Sequence, residues 1–103
     1  MRKLLTNFPL IQIPLNKGYY VYILLCADNT FYTGWTNNIC NRIKKHNLGK
    51  GAKYTSVRLP VVLIYYEEYD NKIKAMQREY QIKKLKRKDK ENLVYEQKTK
   101  YNI

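Results

Sequence analysis

One segment constrains this chain more than any other. The run GYYVYILLC (18–26) is almost unbroken in apolar, aromatic and β-branched residues. A strand that is apolar on both faces belongs in the middle of a sheet covered on both sides. ADNT (27–30) supplies a turn in which Asn29 can take the left-handed conformation, and TFYTGW (30–35) reads as the returning strand of a hairpin. Thr36 or Asn37 then offers a cap to a helix that places Ile39 and Ile43 on one face, with Gly49 and Gly51 ending it. VVLIYY (61–66), entered through Pro60, is a third strand. Asp70 or Asn71 caps a second helix with Ile73, Met76 and Tyr80 spaced i, i+3 and i+7. A basic segment, 87–97, reads as a short helix anchored by Leu93 and Val94. The expected order is β-β-α-β-α-α, an α+β fold with a small three-stranded sheet flanked by helices. The expected division is an N-terminal extension (1–17), one domain (18–97) and a C-terminal tail (98–103).

Charge narrows the range of partners. The 103 residues carry 20 Lys and Arg against 8 Asp and Glu, a formal net charge of +12. Such an imbalance calls for a polyanion, most often nucleic acid. It also disfavours a calcium-type cage, which needs several clustered carboxylates. The positive charge falls in two blocks: residues 42–58 hold six basic residues and no acid, and residues 71–103 hold eleven basic and four acidic residues. Arg2, Lys3 and Lys17 add a smaller basic start. No apolar run approaches a membrane span, and no long amphipathic helix with an aromatic face suggests a membrane-surface protein. Pro9 and Pro14 interrupt the N-terminal segment, and no small-residue cleavage motif follows, so it reads as a retained extension of a cytoplasmic protein. Its apolar residues Leu10, Ile11, Ile13 and Leu15 could cover a sheet edge or mediate a dimer. Cys26 and Cys40, with a single histidine, cannot complete a four-ligand zinc site and read as free thiols in a reducing compartment.

A set of residues now stands out by order and spacing. YVY (20–22) is followed after nine residues by YTG (32–34); Arg42 lies ten residues beyond Tyr32, His46 four beyond Arg42, and Glu79 in the downstream helix. This set resembles the paired signature of the GIY-YIG nuclease superfamily. The surrounding segments CADNTFYTGWTNN, HNLGKGAKYT and REYQIKKL are similar to its small standalone bacterial subfamily, and the likeness spans about residues 18–94. The resemblance implies a DNA endonuclease, in repair or recombination, that uses one Mg2+ or Mn2+ ion. It implies that Glu79 holds the metal, Arg42 clamps the scissile phosphate, and a tyrosine helps take a proton from the attacking water. Tyr22 is the favoured base, with Tyr32 and His46 orienting it or the water, although the parts of the two tyrosines can be exchanged. Taken without the resemblance, Glu79 is the i,i+4 partner of Lys83 on a solvated helix.

Chemistry sets conditions on these residues. Tyr22 and Tyr32 share a face only if the hairpin loop has an odd number of residues, such as Ala27–Asn29 or Ala27–Phe31; a two-residue turn at Asp28-Asn29 puts them on opposite faces. A tyrosine ordinarily titrates near pH 10, so a tyrosine base calls for adjacent positive charge, which Arg42 and the basic blocks can supply. Arg42 and His46, four apart, lie on one helix face. Gly34 marks a close approach. Acid poverty excludes a two-metal site of clustered carboxylates and leaves one-metal chemistry.

The expected nucleic-acid surface comprises Lys44, Lys45, Lys50, Lys53, Arg58 and Lys83, with DNA favoured and no base-reading motif, hence structure-guided or weakly specific cleavage. Two positions depart from the family pattern. Glu91 stands where many members have Asn, with Asn92 next to it, and Trp35 follows YTG where repair-type relatives often carry Lys. The alternative is a module that binds DNA or RNA with weak or no catalysis. A targeting protein and the oligomeric state are left open.

Overall fold

The computed structural model describes Phe8 and residues 11–101, with side chains as far as Gln97. Its elements are β1 (Tyr19–Cys26), β2 (Phe31–Thr36), α1 (Ile39–Asn47), α2 (Lys53–Ser56), β3 (Val61–Tyr69), α3 (Lys72–Lys83) and α4 (Arg87–Tyr101). The architecture is the expected α+β one, with the single turn α2 added between α1 and β3. The antiparallel sheet has the order β2-β1-β3. β1 therefore occupies the centre, and Tyr20 through Cys26 are all buried. Val21, Ile23 and Leu25 pack toward Ala75 and Ile82 of α3 and Val94 of α4. Tyr20, Tyr22, Leu24 and Cys26 pack toward Ile39 and Ile43 of α1.

Two local devices fix which side chain faces which layer. The β1–β2 loop is Ala27–Asn29: the Cys26 N–H donates to Thr30 O at 2.8 Å, and the Asn29 N–H to Cys26 O at 2.9 Å. Asn29 takes φ 68°, the left-handed turn conformation, and Asp28 accepts from both the N–H and the hydroxyl of Thr30. This odd loop pairs Tyr22 with Gly34 and Leu24 with Tyr32, so both tyrosines lie on the α1 side. In β3, a bulge opposite Ile23/Leu24 switches facing. Val61 and Leu63 point with α1, whereas Tyr65, Glu67 and Tyr69 point with α3.

Several helix details differ from the sequence expectations. Asn38, not Thr36 or Asn37, caps α1, its side chain accepting from the Asn41 N–H at 3.2 Å, while Thr36 Oγ1 accepts from the Asn38 N–H. Asn71 caps α3. Gly49, at φ 80°, ends α1, but Gly51 has a different role described below. Ile73, Met76 and Tyr80 are exposed, and α3 rests on the sheet through Ala75, Arg78 and Ile82 instead. The spacing is the same but rotated by two residues, because Arg78 finds a carboxylate on the sheet and can face inward. α4 runs past the expected end at 97.

Ile11 and Ile13 pack on the α1-side core, and Leu15 is exposed. Leu10, Arg2 and Lys3 lie outside the described residues. Cys26 is buried and Cys40 half-buried, both as free thiols.

Candidate active site

Tyr22 projects from the middle of β1, and its ring lies across Gly34 on β2. A Cβ at Gly34 would stand 2.6 Å from the Tyr22 hydroxyl and 2.8 Å from Cζ, so glycine is what lets the phenol lean toward the sheet edge. The Tyr22 hydroxyl lies 2.9 Å from His46 Nε2, and His46 Nδ1 lies 2.8 Å from Thr55 Oγ1. The Thr55 hydroxyl donates to the Ala52 carbonyl at 3.2 Å. With that proton committed, Thr55 accepts from Nδ1–H, Nε2 is left as an acceptor, and Tyr22 O–H donates to it. The result is a directional relay, Tyr22 to His46 to Thr55 to the α2 N-terminus, in which His46 and Thr55 are fully buried.

The loop after α1 holds both helix residues of the site. Gly51 packs directly on the imidazole: a Cβ there would fall 2.4 Å from His46 Nδ1 and 2.8 Å from its Cα. The Gly51 carbonyl also accepts from Arg42 Nη2 at 3.0 Å. One glycine thus seats His46 and orients Arg42. Arg42 Nε is buried with no hydrogen-bond partner among the described residues. A guanidinium with a spare donor beside an open surface is prepared for an oxyanion. Tyr32 completes the ring cluster, 5.2 Å from the His46 ring and 6.4 Å from that of Tyr22, centroid to centroid.

Titration behaviour corrects one expectation. Burial pushes Tyr22 up to about 12, outweighing the hydrogen bond and positive charge of Arg42, which act to lower it. Adjacent positive charge therefore does not produce a resting phenolate. Burial, with the charge of Arg42, drives His46 down to about 4, so the imidazole is neutral at pH 7 and free to accept at Nε2.

Glu79 lies on α3, across the sheet from α1, yet its charge is among those felt by the Tyr22 hydroxyl. Its carboxylate pairs with Lys83 Nζ at 3.6 Å, the i,i+4 contact that a plain helix reading gives. Among the described residues no group of three or more His, Cys, Asp or Glu is gathered for a metal ion. A single accessible carboxylate suits a hard divalent cation that keeps several waters and takes further oxygens from a phosphate.

The remaining basic residues divide into two sets. Lys44, Lys45, Lys50 and Lys53 are exposed on α1, the loop that follows and the start of α2. A polar cleft of about 350 Å³, lined by Lys17, Asn38, Arg42 and Lys45 among others, opens beside them. Arg58 is committed elsewhere: it pairs with Asp28 at 2.9 Å, donates to the Tyr54 carbonyl at 2.7 Å and covers the Tyr54 ring at 3.8 Å. Lys83 is held by Glu79. Trp35 packs on the α3-side core with Lys72 over its ring at 5.7 Å, and Glu91 pairs with Arg87 at 3.0 Å. Sequence reasoning missed Thr55 and the seating role of Gly51; the only signal was their presence in the segment GKGAKYT. A cavity of about 500 Å³ between β3 and α4 is lined by Glu67, Glu68 and Glu96 and so repels a polyanion.

Comparison with known proteins accords with this fold. The GIY-YIG catalytic domain model matches residues 18–92. The chain belongs to the GIY-YIG family. Within that family it is 54% identical over 80 residues to the UPF0213 protein of Pediococcus pentosaceus, covering 78% of this chain and 84% of that one. It is 50% identical to the UPF0213 protein YazA of Bacillus subtilis, covering 78% and 81% of the two chains. Two solution NMR structures share the fold. The UPF0213 protein of Bacillus halodurans has 49% identity and a TM-score of 0.50, with 76% of this chain and 83% of that one covered. A protein of E. faecalis has 40% identity and a TM-score of 0.54, with 78% and 85% covered. No helix among the described residues is long and apolar enough to cross a membrane.

Proposed function

We propose that this protein is a metal-dependent endonuclease that hydrolyses phosphodiester bonds in DNA, guided by structure more than by sequence. The observation that carries the reading is the buried relay Tyr22–His46–Thr55 set beside the spare donor of Arg42. In this reading Tyr22 Oη takes a proton from the attacking water as its own proton passes to His46 Nε2. The phenol never needs to rest as a phenolate, which fits its raised pKa. Arg42 holds the scissile phosphate and opposes the charge that builds on its oxygens. Tyr32 borders the water position and orients it. Glu79, with Mg2+ or Mn2+ bound, would hold the cation where it supplies Lewis-acid stabilisation of the leaving 3′ oxygen. Lys44, Lys45, Lys50 and Lys53 supply sequence-independent contacts along the backbone. Lys83 exchanges its contact with Glu79 for the nucleic acid.

The test uses purified protein, Mg2+ or Mn2+, and branched and single-stranded DNA, with Glu79→Ala alongside. Cleavage that disappears in Glu79→Ala is the expected result. Failure to cleave any of these substrates, with binding unaffected by that substitution, overturns the enzyme reading in favour of a binding module.

A further inference from the structure

At the open edge of β2 the rings of Tyr32 and Tyr54 face each other, inclined by only 23° with centroids 6.2 Å apart. A pocket of about 250 Å³ is lined by both, together with Phe31, Thr33 and Lys83. Holding a planar base between two rings takes roughly 7 Å, twice the ordinary stacking distance. The 6.2 Å is a centroid separation and so the upper limit of the gap; a base enters as the exposed Tyr54 side chain swings outward from Tyr32. Both walls are braced from behind. The Arg58 guanidinium lies 3.8 Å from the Tyr54 ring centroid, itself fixed by Asp28, and the His46 ring meets Tyr32 edge-on at 5.2 Å. Lys83 contributes a cation at the rim.

From these features we infer a nucleobase slot between Tyr32 and Tyr54 that takes the base of an unpaired nucleotide next to the scissile phosphate. Aromatic walls suit the faces of a base, and the Lys83 ammonium at the rim suits its polar edge. A base inside a duplex has both faces stacked and its pairing edge occupied, so only an unpaired or extruded nucleotide can enter. Tyr32 belongs to the candidate active site and to the slot at once, which places the bound base one nucleotide step from Tyr22 and Arg42. Arg58 serves here as the brace of a wall and not as a phosphate ligand. This assignment rests on the nucleic-acid reading above and narrows its substrate to strands with unpaired bases.

The experiment measures binding by fluorescence anisotropy without divalent metal, so that no cleavage intervenes. The probes are a short oligothymidylate strand and a strand of equal length made of abasic residues. Wild-type protein is expected to bind the base-bearing strand about tenfold or more tightly than the abasic one, the effect of a single base–aromatic stack. Tyr54→Ala should lose that difference, and Tyr54→Phe should keep it. Equal wild-type affinity for the two strands overturns the slot, as does a Tyr54→Ala loss that weakens both strands alike. Base-dependent binding by a protein that cleaves nothing would overturn the nuclease reading alone. Cleavage accompanied by base-independent binding would overturn the slot alone.

Discussion

The two faces of the sheet carry two clusters built from the same parts, tyrosines and an arginine around a titratable group, and they are finished differently. On the α3 side, Glu67 accepts from the hydroxyls of Tyr65 and Tyr69 and from Arg78 Nε and Nη2, at 2.9 and 3.1 Å. On the α1 side, Tyr22, His46 and Thr55 form a one-way relay, and Arg42 keeps a buried donor unused. In the first cluster the charges cancel and the carboxylate is saturated. In the second, capacity is left over beside an open cleft. The lesson is that residue type does not separate the two clusters; the saturation of the Glu67 carboxylate against the unused donor of Arg42 does.

The largest expected contrast comes from deleting one arginine-side and one carboxylate-side group. Arg42→Ala should reduce cleavage about 100- to 1000-fold while leaving thermal unfolding nearly unchanged. Glu67→Ala should do the reverse, costing about 1.5–3 kcal/mol in urea denaturation because four donors on three residues lose a charged acceptor, with cleavage preserved. Loss of cleavage in Glu67→Ala without loss of stability would erase the distinction between the clusters.

Next comes the end of the relay. Thr55→Val should slow cleavage about 10- to 100-fold, as removal of an orienting hydrogen bond behind a functional imidazole does, and Thr55→Ser should restore it. The 15N chemical shifts of His46 give a separate readout: the Nδ1–H tautomer should dominate in the wild type and in Thr55→Ser but not in Thr55→Val. Gly51→Ala drives a Cβ into His46 and is expected to cost about 1–3 kcal/mol of stability. The cost is read from the urea midpoint.

Acid should unfasten the two faces in sequence. His46 lies at about 4 in the folded protein against an ordinary 6.5, so an unfolded chain binds its proton first. Its influence on stability is neutral above pH 6.5 and becomes a growing penalty as pH falls toward 4. For Glu67, burial acts to raise the pKa, but hydrogen bonds from Arg78, Tyr65 and Tyr69 outweigh it and hold the group below its ordinary 4.5. Its stabilisation is complete above pH 4.5 and drains away only below. Urea midpoints against pH should lose the upper slope in His46→Gln and the lower one in Glu67→Gln. The smallest effect is expected for Lys83→Gln, within about 0.5 kcal/mol, because its pair with Glu79 is half exposed to solvent.

Much of this was legible in the chain itself. The run 18–26 announced a central strand, and Asn29 marked its turn. The order and spacing of Tyr22, Tyr32, Arg42, His46 and Glu79 pointed to one family. Less legible was α3, where the period of Ile73, Met76 and Tyr80 indicated the wrong face. Periodicity counts Arg78 as a surface residue, and only the distant Glu67 makes an inward arginine stable. Arg58, placed among phosphate ligands by its charge, is bound by Asp28 and Tyr54 instead. Such pairings depend on partners dozens of residues away, which no local pattern reports.

By itself, then, the sequence determined a double-faced central strand, a basic surface and the identity of the residues that gather near it, because these follow from side-chain chemistry and short-range spacing. The tertiary structure alone decided which hydrogen bonds those residues make. The odd loop put Tyr22 and Tyr32 on one face, Gly51 and Thr55 gave His46 its tautomer, and burial raised Tyr22 although the hydrogen bond and charge of Arg42 act to lower it. Desolvation and hydrogen-bond direction are set by the atoms surrounding a group, and for these groups the surroundings are assembled from distant parts of the chain.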